Sequence, residues 1–442
     1  MEELTPAWRG ARVLALDLDH CLARYRIHAL QRLIYACLAR GLCEREGHPP
    51  LTFTRLPAPP APSGAPPPQD AVAGTDYPGE DGAGLDVSDL QRWAVGWAPA
   101  FSHKGIVFDA ATGDLLKLSA TGGVAAAWHG FTQLSAAEAL ARHGAVYFGF
   151  DFLQRRERHP GLAQLSTYFD CPAVVSLAQC VETLDSSSSS SSSGGSGGGA
   201  GASAAPPSAP ALLRYQHLLQ QHSRTFDHIF DNAAAFGSGR GGFFAALRMH
   251  PSLYIAARPR AAAALRALRA ARATRVLLVT NSNPEFARFI LRASLGADCL
   301  QHFDALFYSS AKPAWFQHGE AAPSLAPLAP GAQLPLGADW SAGAEFCGGS
   351  AGVAVAAYGR EGLVFVGDHV VTDVAAAAQC QAGSWAAVGV VEELEGEAQG
   401  VGPWGPFKGS WFGHLLAAHA SAVTADATEL LERLAAGAAE GQ

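Results

Sequence analysis

Four short, mostly apolar runs constrain this chain more than anything else in it: Val13–Leu16, Val276–Val279, Phe303–Phe307 and Leu363–Val366. A run of that length and character reads as a strand buried on both faces. Helical patterns separate the later runs: Arg260–Ala273, a helix opened by Asn283-Pro284-Glu285 and reaching about Leu295, and Val371–Gln381. Asn283 is suited to cap that second helix, with Pro284 in its first turn and Glu285 beside it. Ser384–Val391 holds a further strand. Strands alternating with helices imply βαβ units and a parallel sheet, so the fold class is α/β.

In an open parallel sheet, ligands bind beyond the carboxyl ends of the strands. All four runs end in groups suited to one chemistry. The first is followed by Asp17-Leu18-Asp19, two carboxylates that repel each other unless a cation or a shared proton relieves them. The second ends in Thr280-Asn281-Ser282 at a helix start, where hydroxyls, an amide and free backbone N–H groups suit a phosphate. Lys312-Pro313 follows the third and offers a fixed ammonium to phosphoryl oxygens. The fourth ends in Gly367-Asp368-His369, with Asp373 five residues after Asp368. Asp17 and Asp368 form an oxygen-only donor set of the kind magnesium prefers. Taken singly, each acid reads as a helix-capping or loop carboxylate. The ordered set of four is not explained that way and points to magnesium-dependent phosphoryl transfer.

With 442 residues, 49% of them hydrophobic and 16% charged, the chain can bury a large core. A net charge of −8 argues against a general nucleic-acid binder. The eight cysteines form no C-x-x-C pair and read as reduced, mostly buried thiols. No stretch has the apolar length of a membrane helix, and the first residues lack signal-peptide character. The expected location is therefore cytoplasmic, with no nucleic-acid or membrane partner. Self-association as a homo-oligomer is left open.

The interval between the first and second runs has a different character. Ala29–Glu46 is helical in its apolar spacing. Lys104–Asp109 and Leu115–Leu118 form a hairpin around Thr112-Gly113-Asp114, with His129-Gly130-Phe131-Thr132 after a third strand. Leu212–Ile229 is an amphipathic helix. Two low-complexity insertions, 49–84 (Pro-rich) and 186–210 (Ser/Gly-rich), are expected to be disordered. Expected boundaries are 1–25 for the first strand and its acids, 26–250 for an inserted cap, 251–425 for completion of the core and 426–442 for a C-terminal helix or tail. Other features are decoys. His217, His222 and His228 lack metal-ligand spacing, Gly194–Gly199 lacks the G-K-[ST] of a P-loop, and Trp128, Trp315 and Trp404 read as packing residues.

The order of these motifs resembles the haloacid dehalogenase superfamily, whose signature is D-x-D, Ser/Thr, Lys and a terminal acidic pair. Asp17 to Tyr25, Val279-Thr280-Asn281-Ser282, Ala311-Lys312-Pro313, Cys347-Gly348-Gly349-Ser350 and Gly367-Asp368-His369 look like its cytosolic purine 5'-nucleotidase family. Leu33-Ile34-Tyr35 points to one branch of that family.

The resemblance implies a Rossmann-like core with an α+β cap inserted after the first motif. It implies a 5'-nucleotidase that hydrolyses nucleoside 5'-monophosphates with Mg2+ through an aspartyl-phosphate. Asp17 would be the nucleophile and Asp19 the general acid and base. Thr280, Asn281 and Ser282 would hold the phosphate, and Lys312 would bridge it to Asp17. The Asp17 carboxylate, the Asp19 backbone carbonyl and Asp368 would hold the metal, with Asp373 in support. Phe131, Thr132 and Asp227 match positions that contact base and sugar in the relatives. Cys21 stands where the family usually has a Thr that orients the general acid, and a thiol is a weaker hydrogen-bond partner. Phosphotransfer to a nucleoside, hydrolysis of another small phosphoester, and a weakly active or non-catalytic scaffold are the alternatives. A receiver-type phospho-acceptor is disfavoured, because it would place adjacent acids after its first strand.

Overall fold

The computed structural model describes residues 10–54, 87–144, 148, 161–191, 209–230, 236–271, 274–317, 324–328, 343–396 and 402–440. The chain divides into two compact units. Unit 1 comprises Met1–Arg26, His250–Ala398 and Leu415–Gln442, and unit 2 comprises Ile27–Met249 and Gln399–His414. Unit 1 opens with β1 (Val13–Leu16), all of it buried, and the short β2 (Arg24–Tyr25).

Unit 2 begins with α1 (Ile27–Glu44), which buries the spaced apolar set Leu30, Leu33, Ile34, Cys37 and Leu38. An antiparallel sheet follows, built from β3 (Ile106–Asp109), β4 (Asp114–Leu118), β5 (Val124–His129), β6 (Thr132–Gln133) and β7 (Leu162–Leu165), in the order β6-β5-β4-β3-β7. The expected hairpin is β3–β4, in which Asp109 pairs with Asp114. Its turn glycine, Gly113, has φ of 76°, which favours glycine. Helix α2 (Ala136–His143) starts on a reciprocal capping box of Ser135 and Glu138. Two long helices follow, α3 (Cys171–Ser191) and α4 (Ala209–Phe230).

Three expectations about this unit change. Residues 186–191 of the serine run continue α3 as helix instead of forming a loop. There, Ser186 and Ser187 donate to the carbonyls of Glu182 and Leu184, both at 2.8 Å, so their hydroxyls are satisfied within the helix. Residues 192–208 and 55–86 lie outside the described residues, and the described start of the Pro-rich stretch holds a short helix, Leu51–Thr54. Finally, 399–414 belongs to unit 2 and not to the second half of unit 1. Trp404 Nε1 donates to Phe101 O at 2.9 Å, and Lys117 Nζ donates to Gly405 O and Pro406 O at 3.1 and 3.2 Å, which ties this segment to the sheet.

The charge centre of unit 2 is Asp114, 0% exposed. Its carboxylate meets His129 Nδ1 at 2.6 Å, His143 Nε2 at 2.9 Å and Arg142 at 3.1 Å. His129 Nε2 also bonds Asp185 at 2.7 Å, and His143 Nδ1 faces Asp109 at 3.4 Å. Asp185 is held in turn by Tyr215 and Arg214. Burial opposes charging these groups, but the mutual bonds win: Asp114 falls to about 2, and both histidines rise to about 9. A raised histidine contributes stability that is complete below its unfolded value, about 6.5, and is lost as pH climbs through 9. The Asp114 contribution is lost only as pH falls from about 4 through 2. Unfolding followed by heating at pH 6 and pH 9 is therefore expected to show a loss on the order of 2 kcal/mol at the higher pH. Asp114→Asn should flatten that dependence, and an unchanged slope would remove the network from the account.

Unit 1 resumes with β8 (Ile255–Ala256), antiparallel to β2, and α5 (Pro259–Ala271). Then come β9 (Arg275–Val279), α6 (Pro284–Leu295), β10 (Ala305–Tyr308), β11 (Ala326–Pro327), β12 (Ala344–Cys347), α7 (Ala351–Tyr358), β13 (Leu363–Gly367), β14 (Trp385–Val390), β15 (Ala422–Thr424) and α8 (Ala427–Glu440). The sheet order is β11-β12-β10-β9-β1-β13-β14-β15, parallel except for β11. Asn283 caps α6 as expected, with Oδ1 accepting from Phe286 N at 2.9 Å. Where a helix was expected at Val371–Gln381, a π-helical turn, Val370–Ala375, leads into the brief helix Ala376–Ala378. The chain is thus a mixed α/β protein with a parallel sheet at the core of unit 1. Among the described residues no helix is long and apolar enough to cross a membrane.

Candidate active site

The central strands of unit 1 bring the sequence motifs together. β1 lies between β9 and β13, with Leu16 level with Leu278 and Val366. Residues just past these ends therefore share one edge of the sheet. Asp17 N still donates to Val366 O at 2.8 Å, which extends the register through the carboxylate. The chain then turns sharply: His20 takes φ of 54°, and Ala23 N bonds back to Leu18 O at 2.8 Å. This turn keeps half-buried Asp19 close enough to buried Asp17 for its charge to act there.

Lys312 Nζ bridges Asp17 Oδ1 and Asp373 Oδ1, both at 2.7 Å, and its side chain is 2% exposed. The ammonium also lies 5.2 Å from the centroid of the Phe365 ring. Burial disfavours this charge, yet Asp17 and Asp373 outweigh it and raise the lysine's pKa, so it stays protonated. Ligand oxygens of Asp17, Asp368 and Asp373 all lie within 4.8 Å of one another, and all three residues are buried. Two of these three carboxylates, Asp17 and Asp373, share the one ammonium. Burial pushes Asp17 up to about 7 despite Lys312, with Asp373 and Asp19 adding to the rise. Three buried carboxylates with their hard oxygen donors so close together fit a small divalent cation. This adds Asp373 to the carboxylates that could hold one, whereas the Asp19 side chain points elsewhere.

Asp19 accepts from two hydroxyls, Tyr25 to Oδ1 at 2.5 Å and Ser282 to Oδ2 at 2.7 Å. Cys21 is buried and donates instead to Val366 O at 3.3 Å. Asp19 thus takes its hydroxyl partners from β2 and from the loop after β9, and Cys21 is not among them. Ser282 was expected on phosphate, and its side chain is committed to Asp19. Asn281 likewise holds the loop after β10: its Oδ1 accepts from Lys312 N at 2.6 Å and Ser310 Oγ at 3.1 Å, and its Nδ2 donates to Lys312 O at 3.1 Å. Ser309 and Ala311 flank that grip in left-handed conformations, φ 46° and 53°. Thr280 is buried, and its hydroxyl accepts from Ser282 N at 3.1 Å.

Asp373 is placed by the π-helical turn. His369 N donates to its Oδ2 at 3.1 Å, while His369 Nδ1 accepts from Val371 N and Thr372 N, both at 3.2 Å. Gly367 is needed here for space: a Cβ would lie 2.4 Å from Asp373 Oδ2 and 2.6 Å from Asp373 Cγ. Gly367→Ala is expected to cost about 1–3 kcal/mol by overpacking and to displace Asp373 from Lys312. Thermal unfolding alongside activity checks this, and unchanged values in both would refute it.

Phe131, Thr132 and Asp227 lie in unit 2. Phe131 is buried against Phe101, ring centroids 4.8 Å apart, and its N–H donates to Glu182 at 3.1 Å. Its ring packs, whereas Thr132 and Asp227 are exposed. Trp128, Trp315 and Trp404 are buried, and His222 bonds Ser176 at 3.1 Å, so these too serve packing. Sequence reasoning missed the donor role of Tyr25 and the clamp at Asn281. Both residues stood within quoted motifs, but nothing local shows where their side chains turn.

The family model described as "5' nucleotidase family" matches residues 90–402. The chain belongs to the 5' nucleotidase family. Thr280, Lys312, Asp368 and Asp373 lie within the matched residues, and Asp17 and Asp19 precede them. Two relatives are named 5'-nucleotidase domain-containing protein 1. The Bos taurus protein is 24% identical over 313 residues, covering 69% of this chain and 54% of the relative. The Homo sapiens protein is 23% identical over 322 residues, with coverage of 69% and 54%. The chain therefore spans about half the length of the curated relatives it matches.

Proposed function

We propose that this chain is a magnesium-dependent 5'-nucleotidase of the haloacid dehalogenase type, acting on nucleoside 5'-monophosphates through an aspartyl-phosphate. One observation carries the reading: Asp17, Lys312 and the Asp368–Asp373 pair converge, buried, at the carboxyl ends of adjacent parallel strands. Unit 1 then corresponds to the Rossmann-like core and unit 2 to the α+β module inserted after the first motif.

Asp17 attacks phosphorus in line, and the bond to the ribose oxygen breaks. Asp19 gives that oxygen a proton and later takes one from the water that cleaves the aspartyl-phosphate. Lys312 and the Thr280 hydroxyl hold the phosphoryl oxygens. Asp17, Asp368 and the Asp19 carbonyl would hold Mg2+, with Asp373 beside them. Bound there, the ion supplies positive charge that keeps Asp17 ionised and offsets charge on the phosphoryl group. Asn281 fixes the Lys312 loop, so the ammonium is positioned before substrate arrives.

Purified protein with magnesium is expected to release phosphate from at least one nucleoside 5'-monophosphate, and chelation should abolish the release. No turnover of any monophosphate or simple phosphoester would sink the proposal.

A further inference from the structure

The carboxylate read above as the general acid is held from both sides. Tyr25 reaches Oδ1 of Asp19, and Ser282 reaches Oδ2. One hydroxyl comes from β2 and the other from the loop after β9, so the carboxyl is held from two independent directions. Tyr25 itself is rigidly placed. It is 3% exposed, and β2 pairs it with Ile255 on β8. Its neighbours anchor the same ribbon, since Arg26 N donates to Tyr254 O at 2.8 Å and Arg24 meets Asp426 at 3.0 Å. Its ring also rests against His20, centroids 4.8 Å apart, in the turn that carries Asp19. The sulfur two residues after Asp19 takes no part, because Cys21 is turned to the backbone of β13.

We infer that Tyr25, with Ser282 opposite it, is the positioning residue that aims Asp19 at the leaving oxygen of the substrate. The inference rests on the hydrolase reading above and goes beyond it by replacing the orienting role expected at Cys21. In the step concerned, an Asp17 oxygen bonds to phosphorus and the phosphorus–ribose bond breaks. The electron pair of that bond goes to the ribose oxygen, which takes the Asp19 proton. Tyr25 transfers no proton. It fixes the direction from which the proton comes, and a misdirected acid loses part of the roughly 10²–10⁴-fold that such catalysis contributes.

The test compares two leaving groups. A ribose alkoxide needs a proton as it departs, whereas nitrophenolate does not. Tyr25→Phe keeps the ring and removes the hydroxyl. It is expected to lower kcat/KM for a nucleoside monophosphate by roughly 10–100-fold and kcat/KM for p-nitrophenyl phosphate by less than about 3-fold. Ser282→Ala should show the same split, and it carries the test alone if Tyr25→Phe does not fold. The double variant should lose less than the product of the two single effects, because both act through one carboxyl. In an Asp17→Asn background, Tyr25→Phe should leave the Kd for the monophosphate unchanged. Equal losses on both substrates, or a weakened Kd, would overturn the positioning role. Full activity in Asp17→Asn alone would instead overturn the hydrolase reading, and the inference with it.

Discussion

Asp17→Asn is expected to lower phosphate release from nucleoside monophosphates by roughly 10³-fold or more while leaving the protein folded. An amide has no anionic oxygen to attack phosphorus, so no aspartyl-phosphate can form. The substitution is otherwise mild. It keeps the shape of the side chain, and Lys312 retains Asp373 as its partner at 2.7 Å. It also takes one carboxylate out of a space that holds Asp19, Asp368 and Asp373. A stability change within about 1 kcal/mol is expected, so the loss of activity would be chemical in origin. Phosphate release and thermal unfolding measured on the same preparation separate the two effects. Equal release by wild type and variant would remove Asp17 from the mechanism.

Lys312→Met is expected to damage both stability and activity. The ammonium is the shared counter-charge of two buried carboxylates. Removing one member of such a cluster leaves charge uncompensated in the interior, at a cost of about 3–5 kcal/mol. A methionine of similar length fills the volume, so the loss would come from charge and not from a cavity. Adding Asp373→Asn should restore part of the stability, because the second change removes one of the orphaned acids. A coupling of at least about 1 kcal/mol in that double-mutant cycle is expected. Full additivity would show that Lys312 and Asp373 act separately. Activity should not return in the double variant, since the phosphoryl oxygens would still lack their cation.

The two variants probe features that differed in how far they could be read from sequence. Asp17 and Asp368 directly follow β1 and β13, which are buried along their whole length. In a parallel sheet such a run ends where the chain re-emerges, so the strand and the polar group beyond it are recorded in adjacent residues. Asp17, Thr280, Lys312 and Asp368 were legible for that reason. The helix start at Asn283 was legible too, because capping is a contact between residues three apart.

Side-chain direction was not recorded locally. Asn281 and Ser282 look alike as phosphate ligands in a string of letters, yet one grips the Lys312 loop and the other turns to Asp19. Tyr25 reaches Asp19 from a strand that pairs with β8, some 230 residues later in the chain. Phe131 could have presented its ring to a ligand, but Phe101 occupies the space in front of it. Segment 399–414 carries no sign that it returns to unit 2, because its anchors, Phe101 and Lys117, lie about 300 residues earlier.

By itself, the sequence determined the α/β class, the order of the motifs and the residue types that meet at the site, since periodicity and strand-end chemistry are short-range. Only the tertiary structure decided the strand order, the orientation of Asp19 and the partners of Lys312. Those depend on contacts between residues far apart in the chain, and a hydroxyl or an amide fits several partners equally well until packing leaves it one.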